Sequence, residues 1–433
     1  MRSIRLLNYE LAPSPATIFG CLLPAPWLGM LAGLLLALAP GWNMADGLPS
    51  RFAPLTLAIT HGLVLGMLAP VMIGALFQLM PVVGGQTVAA ARWLAAFIAP
   101  VSLLIALSLG AGFLFGMSRG FMLAAILASL LYGSVVLALL HTGLRIMVTD
   151  ASTRTLRYIA LALGMVIACG VALAGSFAGW WQLDVLHWLN LHVAWGLVGW
   201  IASLLLAVAS TVVPMFWQSR RPGIWWQRSL PWCLWLFLLL MIIPSLQAMA
   251  ILLACLLLLG FASLGLHAIW YARRRFDPAW ILWLVAALSC VGACSMTIIL
   301  ILFAAHIQPA WLTGLQWCTG VLALVGGAVL PVNAMLGKII PFLVFLHLRK
   351  QTPAGQRVPT MQEILPPRRL QLQARMLLLA LLLLFLLPLA PNFLAVAAGL
   401  AFAISQGMLA SFLMLALLRY RSELQKLLFR KTS

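Results

Sequence analysis

Four histidines are the side chains in this sequence best suited to chemistry, because each lies at or close to one edge of a long apolar stretch. They are His61, His187, His192 and His306. Imidazole is the commonest metal ligand among side chains, and an ionisable group inside an apolar stretch is a functional candidate by default. A neutral imidazole costs much less to bury than a carboxylate does, so a hydrogen-bonded structural histidine is the competing interpretation.

The spacing of small residues around two of these histidines favours the approach of something flat. Trp195, Gly196 and Gly199 follow His192 at i+3, i+4 and i+7, which places them on the same face of a helix. After His61, small residues recur at multiples of four: Gly62, Gly66 and Gly74. Such a surface admits either a macrocycle or another helix, since small residues are common wherever membrane helices meet.

The composition determines what must position these residues. Of the 433 residues, 64% are hydrophobic and 8% are charged, and the mean hydropathy is +1.10. No water-soluble globular domain could bury that much apolar surface. Apolar runs of this length predict membrane helices, and therefore an all-α polytopic membrane protein. The net charge of +19 does not indicate nucleic acid, because the cations lie in short connections between apolar runs and report orientation in a lipid bilayer instead.

We expect about twelve transmembrane helices in a single membrane domain, 1–433. Their predicted starts lie near residues 18, 55, 90, 120, 156, 189, 230, 249, 280, 311, 374 and 394. The distribution of arginine and lysine predicts a multi-pass protein of the bacterial inner membrane with both termini in the cytoplasm. Nothing at the N-terminus resembles a cleavable signal peptide.

An internal repeat of four helices accounts for this count. Three apolar segments of similar character start at Thr60, Leu191 and Leu315, and we predict pseudo-repeats at roughly 15–150, 151–275 and 276–425. The last unit is longer because it contains a predicted cytoplasmic loop at 348–370. On this plan, the four histidines lie near the outer face.

The segment THGLVLGMLAPVMIGALFQLMPVVGG from Thr60 resembles helix 2 of the catalytic subunit (subunit I) of heme–copper oxidases. That helix begins with a His-Gly pair, has a Gly-rich middle and ends at a Pro-x-x-Gly turn. The segment LHVAWGLVGWIASLLLAVASTVVPMF from Leu191 is similar to a smaller relative, the NnrS-type proteins linked to nitric oxide response.

The resemblance implies that His61 is an axial ligand of one b-type heme near the outer face. The second ligand would be one of His192, His187 and His306, and His192 is preferred for its glycine-lined face. Such a heme would serve electron transfer or nitric oxide response, and a respiratory or redox protein would then be a partner.

Departures from the oxidase pattern argue against an enzyme that reduces oxygen. The helix 10 region reads LTGLQWCTG, with no His-x-His pair. A three-histidine copper site cannot be assembled, because helix 7 lacks His-His and helix 6 lacks His-Pro-Glu. The seven acidic residues all fall in predicted loops or tails, so a proton path through the spans is not expected. We predict a degenerate relative without oxygen reductase activity.

Two further hypotheses stay open from the sequence. A permease would use Asn333 and Lys338, which lie between Pro331 and Pro341 in an interrupted helix. Lys338 lies near the cytoplasmic end, where snorkelling would also satisfy it. A heme-free membrane scaffold or assembly protein is the third hypothesis, and no sequence feature excludes it.

Overall fold

The computed structural model describes residues 9–221, 223–353 and 355–432, and in these ranges every regular element is helical. The prediction of an all-α polytopic membrane protein is confirmed.

Eleven helices of the described residues are long and apolar enough to cross a membrane. The first six are α1 (Pro15–Trp42), α2 (Pro54–Val82), α3 (Ala91–Phe115), α4 (Ser118–Gly143), α5 (Ala151–Phe177) and α6 (Val185–Trp217). Two short helices follow, α7 (Ile224–Ser229) and α8 (Trp232–Leu240). The remainder are α9 (Pro244–Trp270), α10 (Pro278–His306), α11 (Trp311–Gln351), the one-turn α12 (Met361–Ile364), α13 (Pro367–Leu389) and α14 (Pro391–Thr432).

The prediction of twelve full-length spans is not confirmed, because the helix expected near residue 230 is α8 alone. Nine residues at 1.5 Å each extend about 14 Å, roughly half of the hydrocarbon thickness. The helix follows Pro231 directly and ends four residues before Pro244, and proline interrupts helices because it lacks an N–H donor.

The segment around α8 nevertheless connects opposite ends of the bundle. Before it, the guanidinium of Arg154, near the start of α5, donates to the backbone carbonyls of Gln227 and Arg228. After it, the side chain of Gln247 contacts His187, near the start of α6. Since α5 and α6 are antiparallel neighbours, their starts lie at opposite ends. Between these two contacts the chain therefore crosses the bundle, but as short, interrupted helices and not as one continuous helix.

Aspartates begin three of the long helices. Asp150, Asp184 and Asp277 each accept a backbone N–H from the residue three positions later, at 2.9, 3.2 and 2.8 Å. This is N-capping, which satisfies a donor that has no partner within the helix. These three carboxylates therefore define helix starts in the connections between the spans.

The connections that follow α2, α4, α6, α9 and α11 lie together at one end of the bundle, because successive passages alternate in direction. We call this the basic end, since it carries most of the arginines of the connections. These include Arg145, Arg220, Arg221, Arg228, Arg273, Arg274, Arg275 and Arg357. The connection after α11 is shorter than the predicted loop 348–370, because α11 continues to Gln351 and α13 begins at Pro367.

The first and last membrane helices of the chain, α1 and α14, pack against each other through glycines. A Cβ atom at Gly33 would lie 2.8 Å from the backbone nitrogen of Ala403, and one at Gly399 would lie 2.5 Å from that of Ala37. No real Cβ makes contacts this short, so the two backbones approach as closely as only glycine allows. We call this contact the closing seam.

Each of the three apolar segments identified from the sequence contains a π-helical stretch. These stretches are Val64–Leu68 in α2, Trp195–Ala202 in α6 and Leu322–Val329 in α11. π-Helix is rare and often occurs at functional sites. In α2 and α6 it begins three residues after His61 and His192, and in α11 it begins three residues after Thr319. The stretches thus relate the three helices by position, while the division into pseudo-repeats stays a prediction.

Candidate functional site: a pair of imidazoles

His61 lies seven residues after the start of α2, at a depth of about 10 Å along the helix. Its Nδ1 is 2.8 Å from the carbonyl oxygen of Leu57, one turn earlier. A carbonyl can only accept, so Nδ1 carries the proton and Nε2 keeps its lone pair. The ring lies beside Phe113 of α3, with 5.3 Å between ring centres. The hydrogen bond therefore fixes the orientation of the His61 ring, and in the neutral imidazole Nε2 is the nitrogen that can bind a ligand.

His192 occupies the matching position in α6, also seven residues after the helix start. Its Nδ1 lies 3.1 Å from the carbonyl oxygen of Val166 on α5, which again leaves Nε2 with the lone pair. A Cβ at Gly170 of α5 would lie 3.0 Å from Cε1 of this ring. The absence of a side chain at Gly170 therefore gives the imidazole its place against α5.

The two imidazoles lie close together in the bundle. Their ring centres are 6.2 Å apart and their planes differ by 9°. The rings are therefore a nearly parallel pair, at a separation within the range of aromatic contacts. An imidazole nitrogen binds a first-row metal at about 2.0–2.1 Å, so two imidazoles on opposite sides of one ion have centres about 6 Å apart. The pair thus has the spacing that one shared metal ion requires.

Two glycines leave space beside the pair. A Cβ at Gly196, one turn after His192, would have no atom within 4 Å, and one at Gly62 would meet only Ala32 Cβ at 4.0 Å. Both histidines are half-buried as whole residues. A ligand larger than a bare ion therefore has open positions next to His61 and His192.

The other glycines identified from the sequence serve helix packing. A Cβ at Gly66 would lie 3.1 Å from Leu28 Cβ, and one at Gly74 would lie 2.7 Å from Cys21 Cβ, both on α1. At Gly199 the nearest atoms belong to Trp195 and to Leu238 of α8. The sequence left two uses for these small residues, the approach of a macrocycle or of another helix. Gly66, Gly74 and Gly199 show the second use, because side chains of neighbouring helices pack closely against them.

Trp195 adds a polar group that sequence reasoning treated only as part of the helix face. Its side chain is 3% exposed, and its indole Nε1 has no hydrogen-bond partner among the described residues. A buried donor without a partner costs about 1–3 kcal/mol. It lies one turn from His192, so a bound group that offers an acceptor there would remove this cost.

The remaining two candidate histidines lie away from the pair. His187 is at the first turn of α6, where its Nδ1 is 2.7 Å from Nε2 of Gln247. This contact links α6 to the start of α9. His306 is exposed in the 3₁₀ turn that ends α10. Of the four histidines proposed as ligands, the structure brings together His61 and His192.

The third π-helical segment has a different side chain at the corresponding position. Thr319 donates its hydroxyl to the carbonyl of Leu315 in its own helix, at 2.8 Å. Its neighbours bind α13, where Trp317 Nε1 donates to the carbonyl of Leu384 at 2.7 Å. The polar groups at this position of α11 are thus engaged in packing. Thr319 corresponds to His61 and His192 because each of the three residues lies three positions before a π-helical stretch. This correspondence is visible only once the π-helices are known.

Lys338 and Asn333, the residues of the permease hypothesis, both have side-chain partners in the structure. Lys338 Nζ lies 2.8 Å from Asp277 Oδ2, and the same carboxylate oxygen accepts from Trp217 Nε1 at 3.1 Å. Asn333 belongs to a buried amide cluster, which we define as Asn333, Gln373, Ser405 and Gln406. Asn333 Oδ1 accepts from Gln373 Nε2 at 3.0 Å and from Gln406 Nε2 at 3.2 Å.

Comparison with known proteins adds nothing to this geometry: no protein-family model matches the chain, and no curated protein matches it. Among the described residues there is no group of three or more His, Cys, Asp or Glu side chains placed to hold a metal ion. The two imidazoles are therefore the donor set on which a functional conclusion depends.

Proposed function

We propose that this protein is an integral membrane heme protein that holds one heme b between His61 and His192 and transfers electrons. The single observation that carries the proposal is the separation of 6.2 Å between two nearly parallel imidazoles on different helices. The resemblance of the Thr60 segment to oxidase helix 2 supports the choice of heme among the groups that two imidazoles can bind.

The protein's own contribution is to hold both imidazoles in one tautomer and one orientation. The carbonyls of Leu57 and Val166 accept from Nδ1 of His61 and His192. A hydrogen bond at the far nitrogen fixes the ring and raises the basicity of the ligating nitrogen. Gly62 and Gly196 leave room on both helices beside the ring pair, and Trp195 offers an indole N–H. These residues fit a flat ligand with acceptor groups at its edge.

The donor set favours electron transfer over the handling of a gas. Heme b supplies one-electron oxidation and reduction when bound. If His61 and His192 both held the heme, no position would remain for a gas to bind. A role in nitric oxide response would require one of the two imidazoles to leave, and the carbonyl contact of each Nδ1 opposes that movement. An oxygen reductase activity is not part of the proposal.

The cellular setting follows from the cations. We place the basic end in the cytoplasm of a bacterial cell, because arginine and lysine accumulate on that side of the inner membrane. Both termini then lie inside, and the imidazole pair lies in the half of the bilayer nearer the outer face. A respiratory or redox protein that exchanges electrons near that face is the partner that this setting implies.

Absorbance of the purified protein from heme-replete cells tests the proposal. Wild type is expected to show a Soret band and one heme b per chain by the pyridine hemochrome assay. His61→Ala and His192→Ala should each lose most of this heme and still elute as monodisperse protein. The matched controls are His187→Ala and His306→Ala, which should keep the heme.

Colourless wild-type protein would overturn the proposal and favour the permease or the heme-free scaffold. Full heme retention in both ligand variants would overturn the assignment of the ligands.

A further inference from the structure

An open groove lies on the lipid-facing side of the bundle, between the end of α9 and α10 near the basic end. Its volume is about 340 Å³, at the lower end of the range for ligand sites in proteins. The lining residues include Leu266, His267, Trp270, Tyr271, Leu284 and Leu288. Leu288 is 51% exposed, so the groove is accessible from the surrounding membrane.

The surface that lines the groove is almost wholly carbon. The ring of His267 packs on Tyr271, with 4.7 Å between ring centres. A ligand with a polar ring, such as a quinone, would need hydrogen-bonding atoms exposed within the groove. An acyl chain needs only apolar contact. The chemistry of the lining therefore favours a lipid tail.

Three consecutive arginines follow the end of α9, beginning two residues after Tyr271 of the groove lining. Arg273, Arg274 and Arg275 are exposed, and in the described part of the chain none forms an ion pair with a carboxylate. The nearest acid in sequence, Asp277, binds Lys338. Arg275 is held in place, since its Nη1 donates to the carbonyl of Trp270 at 2.9 Å. The mouth of the groove at the basic end is therefore positively charged.

We propose that this groove is a binding site for one anionic phospholipid. One acyl chain lies against Leu266, Leu284 and Leu288, and Arg273 and Arg274 bind the phosphate. Basic pockets between membrane helices are suited to anionic lipid head groups, and each arginine near such a charge contributes appreciably to affinity. The aromatic rings of Trp270 and Tyr271 lie where side chains of this type accompany lipid head groups. The site is independent of the heme proposal.

Native mass spectrometry of delipidated protein with added phosphatidylglycerol tests this site. Wild type should retain one phosphatidylglycerol in preference to phosphatidylcholine. In Arg273→Gln/Arg274→Gln the affinity should fall roughly fivefold for each arginine removed. Leu288→Trp, which fills the groove at an exposed position, should weaken the binding of both lipids.

The matched control is Arg145→Gln/Arg349→Gln, two exposed arginines of the same end that lie after α4 and in the last turn of α11, not at the ends of α9 or α10. This variant should bind phosphatidylglycerol as wild type does. Equal retention of the two lipids by wild type would overturn the proposal. So would an equal loss in the control pair, because that result would show a general attraction to the basic end.

Discussion

Two contacts between helices use glycine in opposite ways. In the closing seam, Gly33 and Gly399 bring α1 and α14 so close that a Cβ atom would overlap backbone. At the imidazole pair, Gly196 faces open space and His61 and His192 stand 6.2 Å apart. The same residue type thus removes all space in one place and preserves it in the other. The difference teaches that glycine content alone does not identify a binding groove.

The two contacts are expected to respond differently to added side-chain volume. At the closing seam, extra atoms must displace backbone, which has little freedom to move in a packed bundle. At the imidazole pair, extra atoms enter free space and disturb only what binds there. Substitutions at these positions can therefore separate folding from ligand binding.

The largest effect is expected from Gly399→Leu, which should prevent formation of the folded protein. Even Gly399→Ala should destabilise it by about 1–3 kcal/mol, because overpacking forces the neighbouring chain to shift. The measurement is detergent-based unfolding of the purified protein, followed by helical circular dichroism. Gly133→Ala is the control, since a Cβ there meets no atom within 4 Å. Equal stability of the two alanine variants would show that the seam is not closely packed.

The next largest effect is expected from Gly196→Phe, and it concerns binding. An aromatic ring beside His192 occupies the space that the proposed heme needs, and overpacking of about 1–3 kcal/mol lowers affinity roughly 5- to 150-fold. The protein should unfold as wild type does and lose most of its Soret absorbance. Gly196→Ala is the graded control, and it should keep heme and stabilise the helix slightly. If Gly196→Phe retains full heme, the open position does not belong to the binding site.

A third, intermediate effect is expected in the amide cluster, which adjoins the closing seam through Gln406. Asn333→Leu removes the acceptor of both glutamines and should cost about 1–3 kcal/mol, because Gln406 Nε2 then lies buried without a partner. Gln406→Leu should cost less, since the Oε1 atom of Gln406 already has no hydrogen-bond partner among the described residues. Thermal unfolding of the two variants measures the difference. The reverse order would contradict the assigned hydrogen bonds.

Sequence reasoning anticipated the all-α membrane architecture, because apolar runs of about 20 residues leave few alternatives. It also selected His61, from the resemblance to oxidase helix 2, and His192 as its preferred partner, from its position in a repeat unit and its glycine-lined face. The π-helices could not be predicted, since a shift to i→i+5 bonding depends on packing against neighbours. The short α8 could have been recognised from Pro231 and Pro244, which bracket it.

The interpretation of Asn333 shows a second limit of the sequence. Asn333 entered the permease hypothesis with Lys338 as a residue that could line a substrate path, and the structure pairs its side chain with Gln373 and Gln406. Those two glutamines also lie in apolar stretches, so the signal for a buried cluster was present. Which of the amides meet depends on how α11, α13 and α14 pack, and spacing along one helix does not contain that information.

The smallest effect is expected from pH, and it concerns an exposed connection outside both helix contacts. The sensitive group is Glu363, in the exposed connection between α11 and α13. The backbone N–H of Thr360, which donates to Glu363 at 2.8 Å, holds the pKa of this carboxyl below its usual value, and the charge of Arg357 acts in the same direction. Because its pKa in the folded protein is lowered, Glu363 stabilises α12 above the ordinary carboxyl pKa. That stabilisation is lost as pH falls through the lowered pKa.

The protection of residues 360–364 against hydrogen exchange should therefore be constant from pH 8 to pH 6, after correction for the intrinsic rate, and should be lost only in acid. Glu363→Gln should show reduced protection at neutral pH and no acid transition. An acid transition of the same size in Glu363→Gln would assign the effect to another group.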